Sequence, residues 1–149
     1  MRRATRLRRA GRSRCARSSR ARRGEGPHMS DRSGGASADC IFCKIFSGAI
    51  PADEVARTDD VLVFRDTNPQ APHHMLAIPK RHAADLGEFV AAAEPAEVGD
   101  LFAAASRAGR AASPSGYRVV VNEGRDAGQT VFHLHLHVLA GRYLDWPPG

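Results

Sequence analysis

Three histidines alternate with apolar residues near the C-terminal end of the chain, and this pattern restricts the fold more than any other feature. His133, His135 and His137 are separated by single leucines. Successive side chains of a β-strand point to opposite faces of the sheet, so the pattern predicts one face of imidazoles and one apolar face in a core. Residues 131–139 are therefore predicted to be a strand, with the three imidazoles within about 14 Å. A row of surface histidines and a transition-metal site are the alternative interpretations.

The chain from residue 39 onward carries further helix and strand patterns. A short helix is predicted after Asp39, as its cap, and before Gly48, because apolar residues recur there at helical spacing. A long helix is predicted at 96–112, and the other strands at 53–57, 61–65, 74–78 and 117–121. Five strands, largely joined as hairpins, with one long and one short helix indicate an α+β fold with a mainly antiparallel sheet.

Charge divides the chain into two unequal parts. Residues 1–28 contain eleven arginines and one acidic residue, a net charge of +10, whereas residues 29–149 carry a net charge of −4. The basic character therefore belongs to a tail, which argues against nucleic-acid binding by the folded part. Residues 1–38 are predicted to be a disordered arginine-rich tail and a Ser/Gly linker, and residues 39–149 to form one domain.

Composition also bears on the origin of residues 1–28 and on the cellular location of the protein. We expect residues 1–28 to be a start-site artefact; a transit peptide or a nucleic-acid arm is the alternative. No stretch approaches about 18 consecutive apolar residues, and the tail has no apolar segment of the signal-peptide kind. Three cysteines fit a reducing compartment better than a disulfide scaffold. A cytoplasmic protein without a membrane partner is therefore expected.

Seven short motifs between residues 39 and 149 resemble those of one protein family. They are DCIFCKI at 39–45, FRD at 64–66, PQAP at 69–72, IPKRH at 78–82, VNEG at 121–124, GQ at 128–129 and WPPG at 146–149, together with the alternating histidines. On these motifs the chain resembles the histidine triad (HIT) superfamily, and the last motif resembles its Hint branch of purine nucleoside phosphoramidases. The resemblance implies a HIT-like fold, a purine nucleotide substrate and a homodimer that pairs through the long helix and a neighbouring strand.

The resemblance also assigns catalytic roles. Imidazole is largely unprotonated at neutral pH and is a good nucleophile. By similarity, His135 attacks the phosphorus of a nucleoside 5′-phosphoramidate, His137 donates to a phosphate oxygen, His74 assists at the phosphate and Thr130 passes a proton to the departing nitrogen. The P–N bond would be cleaved through a covalent nucleotidyl-histidine. The alternatives are a dinucleoside polyphosphate hydrolase and a nucleotide-binding adaptor with incidental hydrolysis.

Substrate binding is implied for a further set of residues. Asp66 would chelate the ribose hydroxyls, and the C-terminal segment would shape the leaving-group pocket of the partner subunit. The predicted substrate-binding residues are Phe42, Ile45, Ile50, Phe64, Asp66, Leu76, Asn122, Gly128, Gln129 and Trp146.

The chain also contains a C-x-x-C motif at residues 40–43. Cys40 and Cys43, with His82 and His133, resemble the four positions that bind structural zinc in bacterial Hint-like proteins. The alternative is two packed thiols and two surface imidazoles. A site filled by four protein ligands leaves no position for substrate, so the prediction is a structural zinc and no cofactor for catalysis.

Overall fold

The computed structural model describes residues 37–148, so the predicted tail and most of the predicted linker lie outside the described residues. The helices are α1 (Ile41–Phe46), α2 (Leu86–Ala92) and α3 (Pro95–Ala112). The strands are β1 (Glu54–Arg57), β2 (Val61–Arg65), β3 (His73–Pro79), β4 (Tyr117–Val121) and β5 (Leu136–Ala140). None of the helices in this described part is long and apolar enough to cross a bilayer.

The five strands form one sheet in the order β1-β2-β3-β5-β4, and every neighbouring pair is antiparallel. The predicted α+β class and five-stranded antiparallel sheet are confirmed. The register aligns Phe64 with Leu76 and Leu76 with His137. Residues paired across an antiparallel sheet lie on the same face, so His137 on β5 shares a face with Phe64 and Leu76.

The central strands β2 and β3 are buried on both faces of the sheet. One face packs on α3 through Val63, Ala77 and Val138 against Leu101 and Ala105. The opposite face packs on α1, where Phe42 and Ile45 meet a second apolar cluster that includes Phe64 and Leu76. Burial on both sides explains the nearly continuous apolar sequences of β2 and β3.

Helix α3 approaches β4 closely at one glycine. A methyl group on Gly109 would lie 2.5 Å from Cγ of Tyr117, a separation that real Cβ atoms do not adopt. The Tyr117 hydroxyl is hydrogen-bonded to the Ser106 hydroxyl at 2.7 Å. The absence of a side chain at residue 109 therefore determines how near the helix lies to this strand.

Three predictions about local structure were wrong. Helix α2 was missed, although Asp85 caps it by accepting a hydrogen bond from the Glu88 backbone N–H at 2.8 Å. Asp39 does not cap α1; Cys40 occupies the N-cap position and makes no side-chain cap. Strand β5 begins at Leu136 rather than at residue 131, because the Leu134 N–H bonds the Ala83 carbonyl, a loop position, at 2.8 Å.

Candidate active site and metal cluster

A cavity of about 600 Å³ opens on the α1 face of the sheet. Nine of the predicted catalytic and substrate-binding residues line it: Phe42, Ile45, Ile50, Phe64, Asp66, Leu76, Thr130, His135 and His137. The apolar members come from α1, its following loop and the sheet, whereas the imidazoles come from β5 and the segment before it. One part of the cavity is therefore apolar and suits a flat ring, while another presents polar groups.

The His135 imidazole is held by its own backbone neighbour. Its Nδ1 lies 2.8 Å from the His133 carbonyl oxygen, which only accepts hydrogen bonds, so Nδ1 carries the proton. A neutral ring protonated on Nδ1 has its lone pair on Nε2. The Phe42 ring packs edge-on against this imidazole, with ring centroids 5.1 Å apart. His135 is thus a buried imidazole with one nitrogen tied to the backbone and the other available as a nucleophile.

A hydrogen bond joins the imidazoles of His74 and His137. The Gln70 backbone N–H donates to Nδ1 of His74 at 3.1 Å, so the neutral His74 ring is protonated on Nε2. That Nε2 lies 2.8 Å from Nδ1 of His137 and 3.4 Å from the Asp66 carboxylate, and the shorter contact is the better hydrogen bond. His137 accepts on Nδ1 and therefore carries its own proton on Nε2.

Burial keeps this pair neutral. Desolvation lowers the pKa of His137 to about 4, and the nearby His135 and His74 add to the effect. Desolvation also lowers the pKa of His74, although the Asp66 carboxylate and a backbone hydrogen bond with Asn68 partly oppose it. At neutral pH the contact between His74 and Asp66 is consequently a long polar contact rather than an ion pair.

Several predicted site residues lie elsewhere. His74 is buried behind His137 and does not line the cavity, and neither do Asn122, Gly128, Gln129 and Trp146. The buried Gln129 amide donates to the Ala84 carbonyl at 2.6 Å and accepts from the Gly124 N–H at 2.9 Å. Its side chain is therefore committed to holding the loop together. Gly128 has a backbone φ of +82°, a turn conformation that favours glycine.

The C-terminal segment is tied to the opposite edge of the sheet. Arg118 on β4 donates to the carbonyl oxygens of Leu144 and Asp145. Trp146 beyond them is 83% exposed. The role of Trp146 at the leaving-group pocket of a partner subunit stays a prediction.

The other constellation brings four predicted metal ligands together. All four ligand atoms of Cys40, Cys43, His82 and His133 lie within 4.8 Å of one another. Nδ1 of His133 lies 3.4 Å from Sγ of Cys40, 3.5 Å from Sγ of Cys43 and 3.2 Å from Nδ1 of His82. A tetrahedral zinc site has edges of about 3.4 Å between nitrogens and about 3.6 Å between nitrogen and sulfur. The cluster therefore has the size of such a site.

The protonation of His133 also fits a metal ligand. Its Nε2 lies 2.9 Å from the Pro79 carbonyl oxygen, so Nε2 carries the proton and Nδ1 presents a lone pair to the cluster. Burial lowers the pKa of His133 to about 4, which keeps the ring neutral. Burial raises the pKa of the Cys43 thiol, so a cation would be needed to hold it as thiolate at neutral pH.

The Asp66, His74 and His137 group also has metal-like spacing, but its hydrogen bonds favour a different use. Nε2 of His74, which faces the other two residues, carries a proton because Nδ1 accepts from the Gln70 N–H. A protonated nitrogen has no lone pair for a cation. The two clusters have similar spacing but different hydrogen-bond partners. The cysteine–histidine cluster presents lone pairs that suit a metal, whereas the Asp66, His74 and His137 group is linked by hydrogen bonds.

Sequence reasoning missed several contributors to the site. Arg65 and Asp53 line the cavity and face each other at 3.3 Å across exposed side chains. The Gln70 N–H and the Pro79 carbonyl act through the backbone, so no side-chain pattern identifies them. Arg65 could have been found, because it directly precedes Asp66 in the FRD motif.

Comparisons with known proteins agree with this geometry. The HIT domain family matches residues 47–144. An uncharacterised HIT-like protein of Synechococcus elongatus is 47% identical over 113 residues, which cover 76% of this chain and 99% of the relative. The crystal structure of a HIT family hydrolase from Legionella pneumophila is 40% identical, with a TM-score of 0.68, and the match covers 74% of this chain and 100% of that one. A zinc-bound histidine triad family protein from Mycobacterium smegmatis is 36% identical with a TM-score of 0.64, covering 72% of this chain and 78% of that one.

Proposed function

Because this chain belongs to the HIT domain family, which has hydrolases among its solved structures, we propose that it cleaves the P–N bond of purine nucleoside 5′-phosphoramidates through a nucleotidyl-His135 intermediate. The observation that carries the proposal is the hydrogen bond from Nδ1 of His135 to the His133 carbonyl oxygen. It leaves the Nε2 lone pair of a cavity-lining imidazole free to attack phosphorus.

In the first step, Nε2 of His135 forms a bond to phosphorus as the bond from phosphorus to the amine nitrogen breaks. The electron pair of the broken bond stays on the departing nitrogen, which takes a proton. Thr130 is exposed and lines the cavity, so its hydroxyl can relay that proton from solvent. The positive charge that develops on the His135 ring is stabilised by the His133 carbonyl that accepts the Nδ1 proton.

In the second step, a water oxygen bonds to phosphorus and the bond to Nε2 breaks. The electron pair returns to Nε2, and the proton lost by water leaves through the same hydroxyl relay. The ring is restored in its starting protonation state, ready for another turnover. Dividing one displacement at phosphorus into two is the benefit of a covalent intermediate.

The neighbouring groups have supporting roles in this proposal. Nε2–H of His137 donates to a phosphate oxygen, because His74 holds the other nitrogen of that ring as an acceptor. The Asp66 carboxylate accepts from the ribose hydroxyls, and its partial exposure beside the cavity leaves it reachable. The apolar clamp of Phe42, Ile45 and Leu76 encloses the base.

We also propose that Cys40, Cys43, His82 and His133 hold a structural zinc ion. The interatomic distances and the lone pair of His133 support it, as does the zinc-bound relative. When bound, zinc would link α1, the loop after β3 and the segment before β5. Elemental analysis of never-chelated protein should find one zinc per chain, and a metal-free sample would refute the site.

The test of the reaction is release of amine from adenosine 5′-phosphoramidate by wild type and by His135→Ala. We expect a loss of about a thousandfold or more in kcat, because the nucleophile is absent, with adenosine monophosphate binding retained. Mass spectrometry of the trapped wild-type protein should find the nucleotide on His135. Diadenosine polyphosphate as a parallel substrate distinguishes the leaving-group class.

His73→Ala is the matched control. His73 is the neighbouring residue on the same strand as His74 and does not line the cavity. We expect its kcat to remain near the wild-type value. Activity of His135→Ala within about tenfold of wild type, or a nucleotide adduct on another residue, would refute the proposed mechanism.

A further inference from the structure

One residue joins the metal cluster to the nucleophile. The His133 side chain contributes Nδ1 to the cluster, and the backbone carbonyl of the same residue accepts the Nδ1 proton of His135 at 2.8 Å. The His133 ring is completely buried and its other nitrogen bonds the Pro79 carbonyl at 2.9 Å. A shift of this ring therefore moves the carbonyl that orients the nucleophile.

A second connection runs through helix α1. Phe42 lies between Cys40 and Cys43, and its ring packs edge-on against both imidazoles, 5.9 Å from His133 and 5.1 Å from His135. The two cysteines would anchor the helix turn that carries this ring. The nucleophile is thus contacted on its hydrogen-bonding side and on one ring edge by groups that depend on the cluster.

The third connection is the loop after β3. His82 contributes its Nδ1 to the cluster, and the adjacent Ala83 carbonyl accepts from the Leu134 N–H at 2.8 Å. The peptide unit between His133 and Leu134 is therefore bonded on both sides, through its carbonyl to Nδ1 of His135 and through its N–H to the Ala83 carbonyl. This pairing is also what keeps residues 131–135 out of strand β5.

We propose that His133 is a positioning residue, and that metal occupancy of the Cys40, Cys43, His82 and His133 cluster sets the orientation of the His135 ring. The proposal goes beyond a structural staple, since a staple would affect only stability. It rests on the proposed function only for its kinetic measurement. A displacement of about 1 Å in a reacting group is enough to reduce turnover about a hundredfold.

The experiment follows the Nδ1 proton of His135 by NMR in zinc-loaded wild type and in Cys43→Ser, with the ring labelled with ¹⁵N. We expect a downfield proton signal on Nδ1 in wild type, and its loss or a clear shift in the variant. In the same samples kcat for adenosine 5′-phosphoramidate should fall about 10- to 100-fold, with KM changing much less.

Leu101→Ala is the matched control for lost stability. Leu101 is fully buried on the opposite face of the sheet and contacts neither cluster nor cavity. It should lower the melting temperature while leaving the His135 signal and kcat of the folded protein unchanged. If Cys43→Ser behaves like Leu101→Ala, with lower stability but the wild-type signal and kcat, the coupling does not exist.

Two further measurements keep the proposal testable if Cys43→Ser does not fold or if the wild-type protein is inactive. Exchange of zinc for the larger Cd²⁺ in wild type retains the fold, and it should shift the His135 Nδ1 proton more than the Nε2 proton of His74. An unchanged His135 signal with cadmium bound would overturn the inference. If wild type does not hydrolyse the phosphoramidate, the proposed function fails, while the NMR comparison still tests the positioning of the ring.

Discussion

Helix α3 contains two glycines with different surroundings. Because of this difference, replacing each of them with alanine should have opposite effects on stability. Gly99 has no atom within 4 Å of an added Cβ, whereas an added Cβ at Gly109 would lie 2.5 Å from Cγ and 2.8 Å from Cε2 of Tyr117. Both lie inside the 18-residue helix, where alanine is favoured over glycine by about 1 kcal/mol. Gly99→Ala should therefore stabilise the protein by roughly 0.5 to 1 kcal/mol.

Gly109→Ala gains the same helix propensity but must displace the Tyr117 ring. Overpacking of this kind costs about 1 to 3 kcal/mol, and movement of the ring also strains the 2.7 Å hydrogen bond between Tyr117 and Ser106. The net expectation is a loss of about 1 to 2 kcal/mol, so the two variants should differ by about 2 to 3 kcal/mol. For a domain of this size, that is a difference of roughly 10 °C in melting temperature.

Urea unfolding at constant pH, with calorimetry in parallel, measures both free energies of unfolding. A Tyr117→Ala background supplies the internal check, because removing the whole ring together with Cγ should abolish the penalty of Gly109→Ala. Stabilisation by Gly109→Ala in the wild-type background would refute the argument. So would a penalty that persists without the Tyr117 ring, because the clash would then have another source.

Three other expectations concern the site and the assembly. Since burial holds the pKa of His137 at about 4, below the unfolded value near 6.5, the unfolded chain binds this proton first as the pH falls. Because of this group, and allowing for its partial exposure, the free energy of unfolding should decrease by about 1 kcal/mol between pH 7 and 5. In urea titrations, the free energy of unfolding of His137→Gln should depend less steeply on pH than that of wild type. The same pH dependence in both proteins would contradict this expectation. Asp66→Asn should reduce the preference for adenosine over 2′-deoxyadenosine monophosphate by about tenfold in calorimetric binding, and an unchanged preference would exclude the ribose contact. Light scattering should give twice the 16.1 kDa chain mass, because exposed Phe102 and Trp146 suit a twofold interface, and a mass of one chain would show that the predicted homodimer is wrong.

The elements of the sheet could be predicted wherever local pattern and tertiary burial agree. Residues 61–65 and 117–121 are strands within the predicted bounds, and the long helix begins one residue before its predicted start. The apolar period and the Ser-Pro-Ser-Gly stop are local signals, so no distant contact was needed to find them. Helix α2 was missed because it is short and buries only Phe89, which leaves almost no periodic pattern.

Residues 131–135 show where local pattern fails. Strict alternation predicts a strand from residue 131, yet the backbone there bonds the loop after β3, and the ladder with β3 and β4 begins only at Leu136. The alternation nevertheless placed His135 and His137 side by side, with ring centroids 5.0 Å apart. The structure places His133 apart from them, in the cysteine cluster, as the family resemblance implied and the alternation did not.

The residue types at the site follow from the order of amino acids, since the resemblance of the sequence motifs to those of the HIT family implied all four members of the cysteine–histidine cluster and most of the cavity lining. The protonation of those residues does not follow from that order. Which nitrogen of each histidine carries a proton depends on the His133 and Pro79 carbonyls and on the Gln70 N–H. These backbone groups come from distant segments or from the chain's own bend, and only the folded chain brings them within hydrogen-bonding distance. Tertiary structure thereby gives His135 a free Nε2 lone pair, His137 an Nε2–H and His133 an Nδ1 lone pair that faces the cysteines, from one and the same side chain.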